Sequence, residues 1–163
     1  MARTPASGIQ HALRSGDYEA VIASVGATLR SFTHQGRDLV VPFDADEVRP
    51  SYRGATLAPW PNRVVDGTYT FAGVEHQLAL TEPARGHALH GLAAWLHFDA
   101  VDKGADHVSL ATAIQPQTAY PWRIIVVAAV AVGVVWLLGE LWVVVLALVV
   151  STFLARALDA PTG

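Results

Sequence analysis

Up to about residue 122, apolar and polar residues alternate in short bursts; beyond it the alternation stops. Tyr18 to Val25 is rich in β-forming side chains and bounded by Gly16-Asp17 and Gly26, which predicts a strand. Ala27 to Thr33 predicts a second, ended by His34-Gln35-Gly36, and Leu39-Val40-Val41 before Pro42 a short third. Residues 1 to about 16 are small and polar and predict a frayed lead-in. Asp44 to Tyr52 carries several charges and Pro50, and predicts a surface loop. Tyr69 to Phe71 and Val74 to Leu80 should pair across Ala72-Gly73. In the second of these, Val74, His76, Leu78 and Leu80 fall on one face and Glu75, Gln77 and Thr81 on the other, the period of a half-buried strand. Leu96 to Val101 and Val108 to Ile114, joined by Lys103-Gly104-Ala105-Asp106, continue the pattern, with Val108, Leu110 and Ile114 on one face. Many short strands and no helix of ordinary length before Arg123 predict a mainly β chain, a sandwich or barrel of antiparallel sheets.

The second part of the chain breaks this pattern. From Ile124 to Ala155 the only charged residue is Glu140, while Met1 to Arg123 carries 22 of the 25 charged side chains. A run of that length passes the threshold for a membrane segment, and as one helix it would reach about 48 Å against a hydrocarbon core of ~30 Å. A hairpin with its tip at Gly139-Glu140 puts Glu140 at an interface and leaves Trp136 and Trp142 as aromatic anchors. A single tilted helix carries Glu140 into or near the apolar layer, which is expensive. A third reading is a buried core element of the sandwich, for which the β-branched Val143-Val144-Val145 leaves room. The expected organisation is a partial β-sandwich over 1–122, then a hydrophobic α-helical (transmembrane) segment or hairpin over 123–163. The lipid bilayer is the expected partner of 124–155, with the N-terminal part in the cytoplasm.

Charge and composition narrow the classes of function. A net charge of -3 with eleven scattered Lys and Arg offers no footprint for nucleic acid. The absence of cysteine excludes disulfides, thiolate chemistry and Cys-type zinc sites. Met1 to Gly8 lacks an apolar h-region, so no secretory signal peptide is expected.

Two polar knots carry the candidate chemistry, separated by the predicted hairpin. The first is Ala58-Pro59-Trp60-Pro61-Asn62-Arg63. Its prolines fix φ around Trp60 and present Asn62 and Arg63. A guanidinium beside a carboxamide can hydrogen-bond several hydroxyls, and an indole can lie on the apolar face of a sugar ring. The plainer reading makes Trp60 core and Arg63 a surface ion-pair partner. The second knot is His87-Ala88-Leu89-His90-Gly91. Gly86 and Gly91 argue for a loop, and no third ligand type stands nearby, so no metal is expected. His90 acting alone on a ligand hydroxyl is the more credible chemistry. His11, His34, His97 and His107 show no constellation and read as surface residues, as Asp44, Asp46 and Glu47 read as a solvated loop.

The run from Gly54 to Glu82, followed by Ala88-Leu89-His90-Gly91-Leu92, resembles the aldose 1-epimerase (galactose mutarotase) family. Pro61-Asn62-Arg63 looks like that family's Asn-Arg motif and Leu89-His90-Gly91 like its Leu-His-Gly motif, with a Gly-X-Tyr-X-Phe hairpin between them. Gly26-Ala27 and Gly36-Arg37-Asp38-Leu39-Val40 fit its opening strands; Gln117 to Pro121 resembles its Gln-X-Gly-Tyr-Pro segment, with Ala119 where glycine is usual. The resemblance covers about residues 8–122. It implies a galactose mutarotase-like β-sandwich, a monosaccharide (aldose) ligand and no cofactor. It also implies interconversion of α and β anomers by acid-base ring opening, with Arg63 and His90 contacting sugar hydroxyls and His90 in a supporting catalytic role; Asn62 and Trp60 of the first knot join them as candidate substrate contacts. The family's main acid, a second histidine, and its glutamate base have no counterpart here, since no histidine follows His107 and the later carboxylates are Glu140 and Asp159. The resemblance therefore implies impaired catalysis, the alternative being a non-catalytic membrane-anchored fusion or transporter fragment. Arg123 to Gly163 also resembles the start of the autoinducer exporter family, in which Trp136 to Trp142 would join two spans.

Overall fold

A computed structural model describes residues 3–137 and 141–144, with side chains over 3–133. The first sheet is antiparallel and grows strand by strand: β1 (Gln10–Ser15), β2 (Tyr18–Ala23), β3 (Thr28–His34) and β4 (Arg37–Asp38). β1 lies where a frayed lead-in was expected. It forms because Gly16-Asp17 turns the chain back so that Ser15 faces Tyr18 and Gln10 faces Ala23. His11 and Leu13 then point into the core and Ala12 and Arg14 to solvent. His11, read from sequence as a surface residue, is buried at 5% exposure. Gln35 and Gly36 both take positive φ, 50° and 74°, as a tight turn into β4 requires. Leu39-Val40-Val41 adds no strand.

The middle of the chain holds short elements. β5 (Arg63–Val64) pairs with β8 (Ala88–Leu89), and between them β6 (Thr68–Phe71) and β7 (Val74–Gln77) make the hairpin. Its turn residues Ala72 and Gly73 sit at φ 50° and 80°, the pair of left-handed conformations of a two-residue hairpin turn. The hairpin is more exposed than its period of two suggested. Leu78 is buried, but Val74 and Leu80 of the same expected face are 57% and 45% exposed, because β7 stops at Gln77.

β9 (Asp99–Lys103), β10 (His107–Ile114) and β11 (Ile124–Ala131) form a second antiparallel sheet in the order β11-β10-β9. Leu13, Ala20, Ile22, Leu29 and Phe32 of the first sheet meet Val108, Leu110, Ile114, Val126 and Val130 of the second, with Phe98 fully buried among them. The common face expected for Val108, Leu110 and Ile114 is the core face.

β11 corrects the expectation of an α-helix starting at the head of the apolar run. Its eight residues pair with β10 from Ile124↔Ile114 to Ala131↔His107. Val126 and Val130 enter the core while Ile125 and Val127 face outward at 44% and 39% exposure. The strand looked like a membrane segment because its outward residues are as apolar as its inward ones, which erases the period of two. The third reading, a core element, describes residues 124–132. Among the described residues no helix is long and apolar enough to cross a membrane, so the bilayer partner has no support from them. The backbone of β12 (Val134–Leu137) pairs antiparallel with that of β13 (Leu141–Val144). The expected position of Glu140, and the rest of the run to Ala155, lie outside the described residues.

Candidate functional site

The two knots meet. Ala58 forms a parallel bridge with Gly91, and the Ala58 carbonyl accepts from the amides of Leu92 (2.7 Å) and Ala93 (3.0 Å). Gly91 has φ +71°, and a Cβ there would stand 2.2 Å from the Ala58 oxygen, so only glycine permits this approach. The β5–β8 ladder aligns Arg63 with Leu89 and extends one pair further to Asn62 and His90. The His90 amide donates to the Asn62 carbonyl at 2.8 Å, and the Asn62 amide donates to His90 Nδ1 at 3.0 Å. Both residues are held at φ 60°, a left-handed conformation uncommon outside glycine. Such outliers concentrate where a side chain must be aimed.

These contacts settle the protonation of the imidazole. With Nδ1 accepting a backbone N–H, the neutral ring carries its proton on Nε2 and offers it as a donor. Burial and, after it, the Arg63 charge hold the His90 pKa below its ordinary value, partly offset by Glu82. His90 is therefore a neutral donor at neutral pH.

Arg63 is braced by Glu82, which the sequence did not single out. Arg63 Nε and Nη2 both donate to the Glu82 carboxylate, Nη2 at 2.8 Å to Oε1, and Nη1 donates to Asn62 Oδ1 at 3.1 Å. The pair is partly exposed, with side chains 32% and 21% accessible. The two-pronged hydrogen bond pushes the Arg63 pKa up and holds the Glu82 carboxyl below its usual range. Glu82 is fixed by backbone exchange with His87 across a one-turn loop, Pro83–Arg85. No spacing signal could have found it, because the partner of Arg63 is set by that loop closing.

The other candidates separate. Trp60 is half-buried and turns its ring toward Tyr120 (centroids 6.4 Å), with its Nε1 buried and without an acceptor among the described residues. Tyr120 and Trp122 continue an aromatic cluster through Phe71 and His76. His87 and His90 do not converge, since His87 Nδ1 accepts from the Asp66 amide at 3.2 Å. Among the described residues no three potential ligands gather for a metal. Ser24, His97 and Asp99 are in contact in the manner of a nucleophilic triad: Ser24 Oγ lies 3.2 Å from His97 Nδ1 and Asp99 Oδ1 3.4 Å from His97 Nε2. Ser24 is fully buried and its Oγ accepts the Ile9 amide, so it is a structural link between strands and no nucleophile.

The family model described as Aldose 1-epimerase matches residues 10–134. The uncharacterised protein YihR of Escherichia coli (strain K12) is 38% identical over 118 residues, 72% of this chain and 38% of YihR. The GalM/aldose epimerase homologue from C. elegans superposes with a TM-score of 0.68 at 21% identity, over 77% of this chain and 42% of that one. A candidate aldose 1-epimerase from Escherichia coli K12 does so with 0.66 at 20%, again over 77% and 42%. The chain thus spans about two fifths of the length of these relatives. The exporter resemblance finds no support, and the family match continues through the whole of β11. On the family match and on a relative 38% identical, the chain belongs to the aldose 1-epimerase family.

Proposed function

We propose that the chain binds an aldose through Asn62, Arg63 and His90 and contributes the sugar-holding part of a mutarotase pocket. One observation carries this reading. The Asn62 amide occupies His90 Nδ1 and so leaves Nε2–H as the ring's donor, beside a guanidinium held in place by Glu82. A sugar hydroxyl or ring oxygen can accept from both groups. Trp60, half-buried beside Tyr120, is the fourth contact through its ring and not through its buried N–H.

Anomer exchange needs a proton delivered to the ring oxygen and another taken from the anomeric hydroxyl. Among the described residues at this site, His90 can deliver one. Glu82 is a poor acceptor for the other, because Arg63 occupies both of its oxygens and depresses its pKa. The 163-residue polypeptide by itself is accordingly a binder with weak or no mutarotase activity.

Titration calorimetry with D-glucose and D-galactose tests the binding. Arg63→Ala or His90→Ala should weaken it by about ten-fold or more, the scale of a hydrogen bond to a charged or buried group. Equal affinity in the variants would refute the assignment. Polarimetry tests the second part: enzyme-level acceleration of glucose mutarotation, lost in His90→Ala, would show that a complete acid-base pair is present.

A further inference from the structure

We infer that Trp95 forms a second carbohydrate subsite next to the Arg63–His90 site, suited to an aldose that carries a further sugar ring. This rests on the reading of Arg63 and His90 as sugar contacts.

Trp95 is 53% exposed, whereas Ala93 and Ala94 just before it are buried. A lone exposed aromatic needs no explanation. This one is braced from beneath. The Arg49 guanidinium lies 4.4 Å from the Trp95 ring centroid, and Arg49 is itself only 6% exposed. Nη1 donates to Thr28 Oγ1 at 2.6 Å, and Nη2 donates to the Ala94 carbonyl at 2.7 Å. No carboxylate pairs with Arg49 among the described residues, and its Nε has no acceptor. Keeping an unpaired cation buried is costly, and its pKa is lowered by that burial. The cation ties Thr28 and the Val25 carbonyl of the first sheet to the Ala94 carbonyl, and lies against the indole that follows it. Gly26 makes room for this arrangement, since a Cβ there would stand 2.3 Å from the Ala94 oxygen and 2.9 Å from Arg49 Nη1.

The braced indole connects to the first site through one ring. Tyr52 lies 5.7 Å from Trp95 and edge-on to His90 at 4.7 Å. Ser51 and Tyr52 take φ 47° and 58°, so the turn that presents Tyr52 between them is a strained one. A single pyranose bound at His90 does not bridge two successive ring contacts; a disaccharide does. With Arg49 over the ring and about half of Trp95 exposed, the indole offers a braced apolar surface to the C–H face of a second ring. Neither Tyr52 nor Trp95 belongs to the two knots, and no motif in the sequence singles them out.

Calorimetry of the full chain with D-glucose, maltose and cellobiose tests this. At least one disaccharide should bind about five-fold more tightly than glucose, the low end of what one stacking aromatic supplies. Trp95→Ala should collapse that ratio toward one, and Trp95→Phe should restore part of it. Matching far-UV spectra for the variants would establish that folding is intact. If glucose binds in an Arg63-dependent manner but the ratio is already one, or survives Trp95→Ala, the subsite is overturned and the first site stands. If glucose does not bind at all, both fall.

Discussion

His90 binds its neighbours as a neutral ring, and that makes the site acid-sensitive. Protonation would put a hydrogen on Nδ1, where the Asn62 amide now donates, and set a second positive charge near Arg63. The folded-state pKa lies below the ordinary 6.5, so aldose affinity should be flat above that pH and fall as the pH drops beneath it. Affinity rising on acidification would contradict the neutral-donor role. His11 behaves alike for another reason: it is buried with no partner for either ring nitrogen among the described residues, and Lys103 and His97 add to the cost of charging it. The unfolded chain takes a proton near 6.5 while the folded one resists, so stability is full above that pH and declines below it. His107 opposes this trend, because Asp106 and Asp102 raise its pKa and its contribution is lost as pH rises. His11→Leu isolates the first effect. It should gain ~1–2 kcal/mol at neutral pH by removing an unsatisfied buried polar group, and flatten the decline on the acid side. Thermal melts at pH 5 and 7 would show it, and an unchanged acid slope would argue against it.

At the scale of elements, β11 is where packing decides. Val126 is 3% exposed in the core and its neighbour Val127 faces out. Val126→Ala should cost about 2 kcal/mol in denaturant unfolding, and Val127→Ala less than about 0.5 kcal/mol. Equal costs would contradict the register. Which elements were legible in the sequence follows the same logic. β2 and β3 could be read because β-forming side chains run between turn-forming glycines, and β10 because Val108, Leu110 and Ile114 fall at even spacing on one face. β11 could not, since its outward Ile125 and Val127 are apolar as well. β1 was missed because a histidine occupies one of its core positions. The candidate site was legible as two motifs, Asn62-Arg63 and His90-Gly91, which the structure brings together; Glu82 was not, because a loop far along the chain brings it to Arg63.

For the whole molecule, the compositional step near Arg123 is no structural step. It falls between β10 and β11, adjacent strands of one sheet that pair over eight positions. Every neighbour in the two larger sheets is also a neighbour in sequence. Their ladders close short loops and need little chain entropy to form. The knots are different: Asn62 must find His90, and Ala58 must find Gly91, across the whole hairpin and the Glu82 loop. In time, then, the sheets should come first and the junction of the two knots last. Pulsed hydrogen exchange during refolding should protect the amides of β2 and β10 before those of Asn62 and His90; simultaneous protection would rule this order out. A ligand that grips both knots would act on that final step, slowing their separation while leaving the formation of the sheets at its own pace.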